Sequence, residues 1–303
     1  MTMTTADMQV TAPPMSPGEV PVYRKWWEYF TFSPDHKVIG IQYLVTSFIF
    51  YIIGGVMATA MRTELATPAS DFVTPDVYNS LLTLHGTIMI FLWIIPAGAG
   101  LANYVVPIMI GARDMAFPKL NALAFWMIPP GGLLLIASFF IEGPQAGWTS
   151  YPPLSLVSGK VGEGIWIMSL LVVGTSSILG ALNFLVTILK MRVPSMKLND
   201  MPLICWSMLA LSGLVLLGTP VLAGALILLA FDLIAGTAFF NPTGGATRLS
   251  ISTCSGSTPT QRYTSWFCRC LARFPKSSRF ILVNRCLGIE RSPTPAWRSP
   301  SWD

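Results

Sequence analysis

Charged residues are scarce in this sequence. Asp, Glu, Lys and Arg make up 11% of the 303 residues, hydrophobic residues make up 52%, and the mean hydropathy is +0.59. A soluble globular domain carries about 25% charged residues, so the composition excludes that class and indicates a membrane protein. The formal net charge of +5 is too small to indicate nucleic-acid binding.

Zinc-binding spacings and a signal-peptide pattern are also missing. Of the five cysteines, Cys268 and Cys270 stand closest together, at a spacing that suits neither zinc nor a disulfide. The first thirty residues are polar and contain no apolar run, so we expect no cleavable signal peptide. Trp26 and Trp27, which follow two cations, are typical of an interfacial anchor before a first span.

Five apolar runs are long enough to cross a bilayer, which takes a helix of about 20 residues. Only helices and closed barrels satisfy the backbone in lipid, so the sequence predicts an all-α fold, a polytopic transmembrane helical bundle. The second run would reach about 45 Å at ~1.5 Å per residue and should tilt or protrude. The predicted spans are residues 39–61, 81–110, 120–141, 164–189 and 203–231.

Positive charges mark alternate connections between these spans. Lys and Arg gather before the first span and after the second and fourth, whereas the other two connections carry mainly Asp and Glu. Cytoplasmic loops carry the excess of Lys and Arg, so the N-terminus is predicted to lie inside. His85 then lies near the outer end of the second span, and Asp114 lies at its inner mouth.

Histidine is nearly absent, and its placement is informative. His36 stands in a polar string, and His85 stands within the apolar string LLTLHGTIMIFLWIIPAGAGL. A histidine at membrane depth needs a metal, a charge partner or a water-filled cavity. His85 could therefore be a porphyrin-iron ligand, a proton relay or a satisfied polar contact, and spacing alone leaves these three open.

Several strings resemble subunit I of the haem–copper respiratory oxidases, and most closely a bacterial cytochrome c oxidase. The resemblance runs in unbroken order over about residues 20–245. Its strings are LLTLHGTIMIF, NYVVPIMIGARDMAFPKLNALAFW, GWTSYPPLS, SSILGALNFLVTILKMR, PVLAGALILL and FFNPTGG.

The resemblance assigns three residues to a haem a site. His85 matches an axial ligand of the haem iron, Arg62 matches the arginine that contacts the haem formyl group, and Trp148 matches a tryptophan near the haem propionates. Without the family, Arg62 reads as a snorkelling cation at a helix end and Trp148 as a residue of the interfacial belt.

The resemblance also implies a proton pathway. Asp114 matches its entrance, and without the family it reads as an ordinary loop residue. Asn103, Asn121 and Asn183 match asparagines that line the channel, and Ser176 and Ser177 match hydroxyls further along it. His36 matches a family string at the inner side, and we expect it to be a surface or packing residue.

The sequence departs from the family after Gly245. In the family, a second haem a histidine, the copper histidines and the histidine of haem a3 lie on later spans, and here no histidine follows His85. We therefore expect one axial ligand of haem a, no haem a3 or copper ligands, and no catalytic residue in this chain. The expected result is a chain that does not reduce O2 by itself.

The residues after 245 suggest why. Reading each codon one base earlier can convert residues 253–269 into HLFWFYSHPAVYIMVLP, which resembles the family's copper-site helix. The hypothesis is that a base change near codon 245 puts the tail out of frame. The predicted organisation is a polar segment 1–30, a subunit I-like transmembrane region 31–245, truncated after its fifth span, and an unstructured tail 246–303.

The resemblance implies catalytic subunit I of a proton-pumping oxidase that passes electrons from cytochrome c to O2. A quinol oxidase is one alternative, but such enzymes carry His and Gln where this chain has Val77 and Ser80. A non-catalytic membrane fragment or a small transporter is the other, although we find no internal repeat. The implied partners are cytochrome c, oxidase subunits II and III and the lipid bilayer, without nucleic acid. The implied location is a bacterial plasma membrane or a thylakoid-type internal membrane.

Overall fold

The structure is a computed structural model that describes residues 29–66, 72–157 and 159–240. Backbone contacts divide the chain into the units Met1–Thr31 and Phe32–Asp303, and the helices described below belong to the second unit. Most of the predicted segment 1–30 and all of the predicted tail 246–303 lie outside the described residues. Both domain boundaries therefore stay predictions.

The five predicted spans are confirmed as helices, and the described residues form an all-helical protein. The spans are His36–Glu64, Pro75–Ile110, Pro118–Phe140, Lys160–Lys190 and Leu203–Ala235, each long and apolar enough to cross a membrane. Each helix extends beyond its predicted run at one end or at both, because less apolar residues continue the helical hydrogen bonding past the apolar stretch. The helices are α1 His36–Glu64, α2 Pro75–Thr87, a π-helix Ile88–Ile94, α3 Ile95–Ile110, α4 Pro118–Trp126, α5 Ile128–Phe140, the short α6 Leu154–Val157, α7 Lys160–Lys190 and α8 Leu203–Ala235.

Local sequence sets several of the helix ends. Asp35 caps α1, with its carboxylate accepting from the Lys37 amide at 2.9 Å. Thr74 caps α2 in the same way, and Pro75 occupies the first turn, where its missing N–H costs nothing. Gly111 ends α3 in the left-handed conformation, at φ 72°.

The second span is interrupted by the π-helix Ile88–Ile94. At its end the Ile95 amide donates to the Ile90 carbonyl, which is the i→i−5 pattern of a π-helix. Pro96 follows immediately. A proline within a helix lacks an N–H and its ring clashes with the carbonyl four residues earlier, so the wider turn gives the ring room without ending the span.

Glycines let the first span approach its neighbours closely. A Cβ placed on Gly40 of α1 would lie 2.9 Å from the Gly100 carbonyl oxygen of α3, so these two helices cross with their backbones in contact. On α5, a Cβ on Gly132 would overlap the tip of the Phe50 ring of α1. Such small residues are typical of helix contacts in membranes, where close van der Waals packing drives association.

Candidate functional site

His85 lies in the last turn of α2, where its ring reaches the first span. Its Nδ1 is 2.9 Å from the backbone carbonyl oxygen of Gly54. A carbonyl oxygen can only accept, so Nδ1 is the donor, and in a neutral imidazole Nε2 then keeps its lone pair. This is the neutral tautomer that metal-ligating histidines adopt, with the second nitrogen fixed by a backbone carbonyl. The residue therefore fits the donor that a haem iron requires.

Two threonines fix the rotation of α2 around this histidine. The Thr83 hydroxyl accepts from the Gly147 amide at 2.9 Å, which ties α2 to the connection between the third and fourth spans. The Thr87 hydroxyl accepts from the indole N–H of Trp166 on α7 at 3.1 Å. With the bond from His85 to Gly54, hydrogen bonds to three different parts of the chain set the direction in which the imidazole points.

The two other predicted haem-site residues are Trp148, in the connection after the third span, and Arg62, near the end of α1. The Trp148 ring packs against Gly86, where a Cβ would lie 3.3 Å from its Cδ1, and the side chain is 47% exposed. Arg62 lies in the last turn of α1 with an exposed side chain. It follows Gly54 by eight residues, about 12 Å along the helix. The structure thus joins Trp148 directly to the His85 turn and places Arg62 further toward the end of α1.

Asp114 lies at the opposite end of the second span, in the connection after Gly111. Its Oδ1 accepts from the Met115 amide at 2.7 Å and lies 3.1 Å from Nδ1 of His36. The Asp114 side chain is 35% exposed, whereas His36 is 4% exposed. His36, expected to be a surface or packing residue, is packed in the interior. The His36 ring packs at the start of α1 and lies within hydrogen-bond distance of the Asp114 carboxylate.

The three predicted asparagines are all buried, and two of them meet. The amide nitrogen of Asn121 on α4 donates to Oδ1 of Asn103 on α3 at 2.7 Å. Asn183 on α7 instead brackets the peptide of Phe117, accepting from its N–H at 2.9 Å and donating to its C=O at 3.4 Å. Asn183 thereby fixes the start of α4 and the register of Asn121 against Asn103.

Ser176 and Ser177 lie beside a cavity of about 50 Å³ between α1, α3, α5, α7 and α8. The Ser176 hydroxyl donates to the Ala124 carbonyl at 2.5 Å, and Ser177 donates to the Val173 carbonyl at 3.1 Å. Both oxygens keep lone pairs for a further donor. A water molecule needs roughly 10–15 Å³ of such space and several polar partners, so the volume suits a small group of waters.

The asparagine pair and the cavity are linked through single helical turns. Asn103 donates to the Ala99 carbonyl at 2.9 Å, and Ala99 lines the cavity. Asn121 precedes by three residues the carbonyl that receives Ser176. Within the described residues no hydrogen bond joins Asp114 to this pair. The structure therefore brings the asparagine pair and the serines together and leaves Asp114 with His36.

Two buried residues near these sites were not predicted. Tyr43 of α1 is 4% exposed, lines the same cavity and hydrogen bonds with Ser176. Glu163, which directly precedes the predicted fourth span, lies in the first turn of α7 and is fully buried. Tyr43 follows the apolar Ile39 by one helical turn, a spacing that is typical of ordinary core residues. The sequence around Glu163 gives no sign that a carboxylate at a helix start would be buried. Tertiary packing alone identifies both.

Comparison with known proteins identifies the family of this chain. The family model described as cytochrome c and quinol oxidase polypeptide I matches residues 38–268. The chain belongs to this family.

Relatives within the oxidase polypeptide I family are close in sequence. Cytochrome c oxidase subunit 1 of Synechocystis is 73% identical over 222 residues, which cover 73% of this chain and 40% of that protein. The subunit of Thermostichus vulcanus is 64% identical over 233 residues, covering 77% and 42%. That of Bacillus subtilis is 44% identical over 220 residues, covering 72% and 35%. The chain spans about two fifths of the length of the first two of these relatives.

Membership confirms the resemblance. The chain is an integral membrane protein of a haem–copper oxidase family, for which haem, copper and a multi-subunit complex are expected.

Proposed function

We propose that this chain forms the haem a-binding and proton-entry portion of subunit I of a cytochrome c oxidase. In the whole enzyme, electrons from cytochrome c reduce O2 while protons are pumped across the membrane. The bond between His85 Nδ1 and the Gly54 carbonyl at 2.9 Å carries the proposal. With Nδ1 as the donor, a neutral imidazole on this apolar span has its second nitrogen free to bind iron.

His85 would hold the haem iron, Trp148 would border the porphyrin, and Arg62 would face its polar edge. Haem supplies reversible one-electron chemistry when it is bound. The protein's part is orientation, since the bonds of Thr83 and Thr87 prevent α2 from turning its imidazole away. A fixed ligand keeps the geometry and the electronic character of the iron constant.

Proton entry is proposed at the opposite end of the span. Asp114 is partly exposed and can exchange protons with the aqueous phase, and His36 lies within hydrogen-bond distance of it. Asn103, Asn121, Asn183, Ser176 and Ser177 would then hold ordered water for proton transfer inward from that surface. The cavity beside the two serines supports this assignment.

Cytochrome c is the proposed donor, and oxidase subunits II and III are the proposed partners. The named relatives are cytochrome c oxidases. Val77 and Ser80 stand where quinol oxidases carry His and Gln, and Ser80 is buried with its hydroxyl bonded to the Asp76 carbonyl at 2.9 Å. A bacterial plasma membrane or a thylakoid-type internal membrane is the proposed location.

Activity of the chain by itself is not part of the proposal. The sequence contains no histidine after His85, so the chain cannot supply histidine ligands to copper or to an oxygen-binding haem. We expect O2 uptake by the purified chain to stay at the level of free haem. Uptake above that level would contradict this part of the proposal.

Haem binding tests the central claim. The 303-residue chain is expressed with haem, extracted in detergent, and compared with His85→Ala by reduced-minus-oxidised absorption spectra. We expect His85→Ala to lose at least about nine tenths of the bound haem, since second-shell changes alone typically cost 10–100-fold in metal affinity. The control His36→Ala, which removes the other histidine, should retain the haem. Equal haem content in His85→Ala and the unaltered chain would refute the proposal and favour a membrane fragment without a metal site.

A further inference from the structure

Glu163 is a buried carboxyl group that neither the haem site nor the proton pathway uses. It is 0% exposed. Its Oε1 accepts a short hydrogen bond from the Ser150 hydroxyl, and its Oε2 has no hydrogen-bond partner in the part of the chain that the structure describes. Burying a carboxyl group with one oxygen unpaired is costly. An ordinary apolar residue would fill this position of α7 without that cost, so the contact with Ser150 calls for a reason.

The partner of Glu163 stands in an unusual backbone conformation. Ser150 has φ 47° and Glu142 has φ 54°, both in the left-handed region that residues other than glycine rarely adopt. These two positions bracket residues 142–150, the first part of the connection between the third and fourth spans, which we call the outer loop. Conformations of this kind persist only where the surrounding contacts hold them, and the bond that the Ser150 hydroxyl donates to Glu163 is such a contact at one end.

The outer loop reaches the haem-site turn of α2 through its middle residues. The Gly147 amide donates to the Thr83 hydroxyl at 2.9 Å, and the Trp148 ring packs on Gly86. Thr83 lies two residues before His85, and Gly86 directly follows it. The position of Trp148 beside the imidazole-bearing turn therefore depends on where the outer loop is anchored.

Two residues on one face of α7 contact the outer loop and α2. Glu163 and Trp166 are three residues apart, so they lie on one face of the helix. Trp166 donates to Thr87 on α2, while Glu163 accepts from Ser150 in the loop. One helix face thus sets the spacing between α2 and the loop that covers it.

We propose that Glu163 is a positioning residue, which holds Ser150 and the outer loop so that Trp148 stays packed against Gly86 beside His85. The role needs an acceptor oxygen at this place and no negative charge, since the hydroxyl of Ser150 can donate either to a carboxyl or to an amide oxygen. In its last step, from Trp148 to the haem, the inference rests on the proposed function. The anchoring of the loop does not.

Hydrogen exchange of the outer loop tests the anchoring without haem. The full chain is placed in lipid nanodiscs, and peptides that cover residues 142–151 are followed by mass spectrometry. We expect Glu163→Ala to speed exchange of the Gly147 amide by about tenfold, the effect of losing one buried hydrogen bond. Glu163→Gln keeps an acceptor oxygen and should exchange like the unaltered chain.

Two controls separate loop anchoring from general damage. Glu142→Gln removes an exposed carboxylate from the same loop without touching Ser150, and it should leave exchange unchanged. Ser150→Gly removes the hydroxyl while accommodating the positive φ, so it should speed exchange as Glu163→Ala does. Unchanged loop exchange in folded Glu163→Ala would overturn the proposal. So would an equal rise throughout α2 and α7, because that would show loss of overall stability.

A spectral readout tests the step from the loop to the haem. In the haem-loaded chain, Glu163→Ala and Trp148→Ala should shift the His85-dependent absorption band in the same direction. The double variant should shift it no further than Trp148→Ala does. Additive shifts would overturn the link through Trp148. If the unaltered chain shows no His85-dependent band, the proposed function fails, while the exchange experiment still decides whether Glu163 anchors the loop.

Discussion

The contact between Asn103 and Asn121 gives the sharpest test of the proton-pathway geometry. The two side chains are each 1% exposed, and the donor nitrogen and acceptor oxygen are 2.7 Å apart. Asn121→Ala removes the donor and leaves the Asn103 oxygen buried without it. Asn103→Ala removes the acceptor and leaves the amide nitrogen of Asn121 buried without it.

The size of the effect follows from burial and from the membrane setting. An unpaired buried polar group costs about 1–3 kcal/mol, but double-mutant cycles between side chains of a membrane protein average about 0.6 and reach about 1.7 kcal/mol. The short distance and nearly complete burial place this pair in the upper half of that range. We therefore expect each single variant to lose about 1–2 kcal/mol, with a coupling of about 1 kcal/mol between them.

Reversible unfolding in mixed detergent micelles measures the cycle. Ser169→Ala supplies the control, because the Ser169 hydroxyl donates to the Gly131 carbonyl at 2.6 Å. Gly131 lies ten residues beyond Asn121 on the same span, about 15 Å away, so Ser169→Ala and Asn121→Ala should add within roughly 0.5 kcal/mol. A coupling between Asn103 and Asn121 no larger than this control would refute a direct bond between them.

Three further outcomes are expected. Gly132→Ala should destabilise the bundle by about 1–3 kcal/mol, because the added methyl overlaps the Phe50 ring. Adding Phe50→Leu should restore part of this loss in the same unfolding assay. If the double variant recovers no stability, the contact between Gly132 and Phe50 is contradicted. Trp166→Phe keeps most of the packing but removes the indole N–H that donates to Thr87. It should lower the free energy of unfolding by about 1 kcal/mol and speed amide exchange in α2. Amide exchange like that of the unaltered chain would argue against this hydrogen bond. Resequencing the gene around codon 245 should reveal the base change, whereas a tail confirmed as in frame by mass spectrometry of the native protein would remove the frameshift hypothesis.

The spans could be predicted because their signal is local. A run of apolar residues near twenty long has one stable form in lipid, and each predicted limit lies within six residues of the helix end in the structure. Gly245 and the tail beyond it were singled out by comparison of strings alone. Asp114 could be placed at the mouth of the second span, since the cations around it mark that connection.

Side-chain partners could not be predicted, because they depend on how each helix is rotated. Nothing in the strings around His36 and Asp114 shows that residues 78 positions apart meet at 3.1 Å. The burial of Glu163 depends on where the outer loop folds over α7. His85 could be recognised as a ligand by resemblance, but the carbonyl that sets its tautomer belongs to another helix, and helix packing determines that contact.

The π-helix in the second span has a consequence for how this segment can evolve. Its extra residue offsets the angular phase of the stretch before it from that of the stretch after it. The stretch that carries His85 directs its imidazole to Gly54 of α1, whereas the stretch that carries Asn103 meets Asn121 of α4 and packs Gly100 on Gly40 of α1. One continuous span therefore keeps a separate heading for each set of contacts. Loss of one residue between Ile88 and Ile94 would restore regular winding and force those headings into conflict, so this stretch should tolerate substitution far better than a change of length.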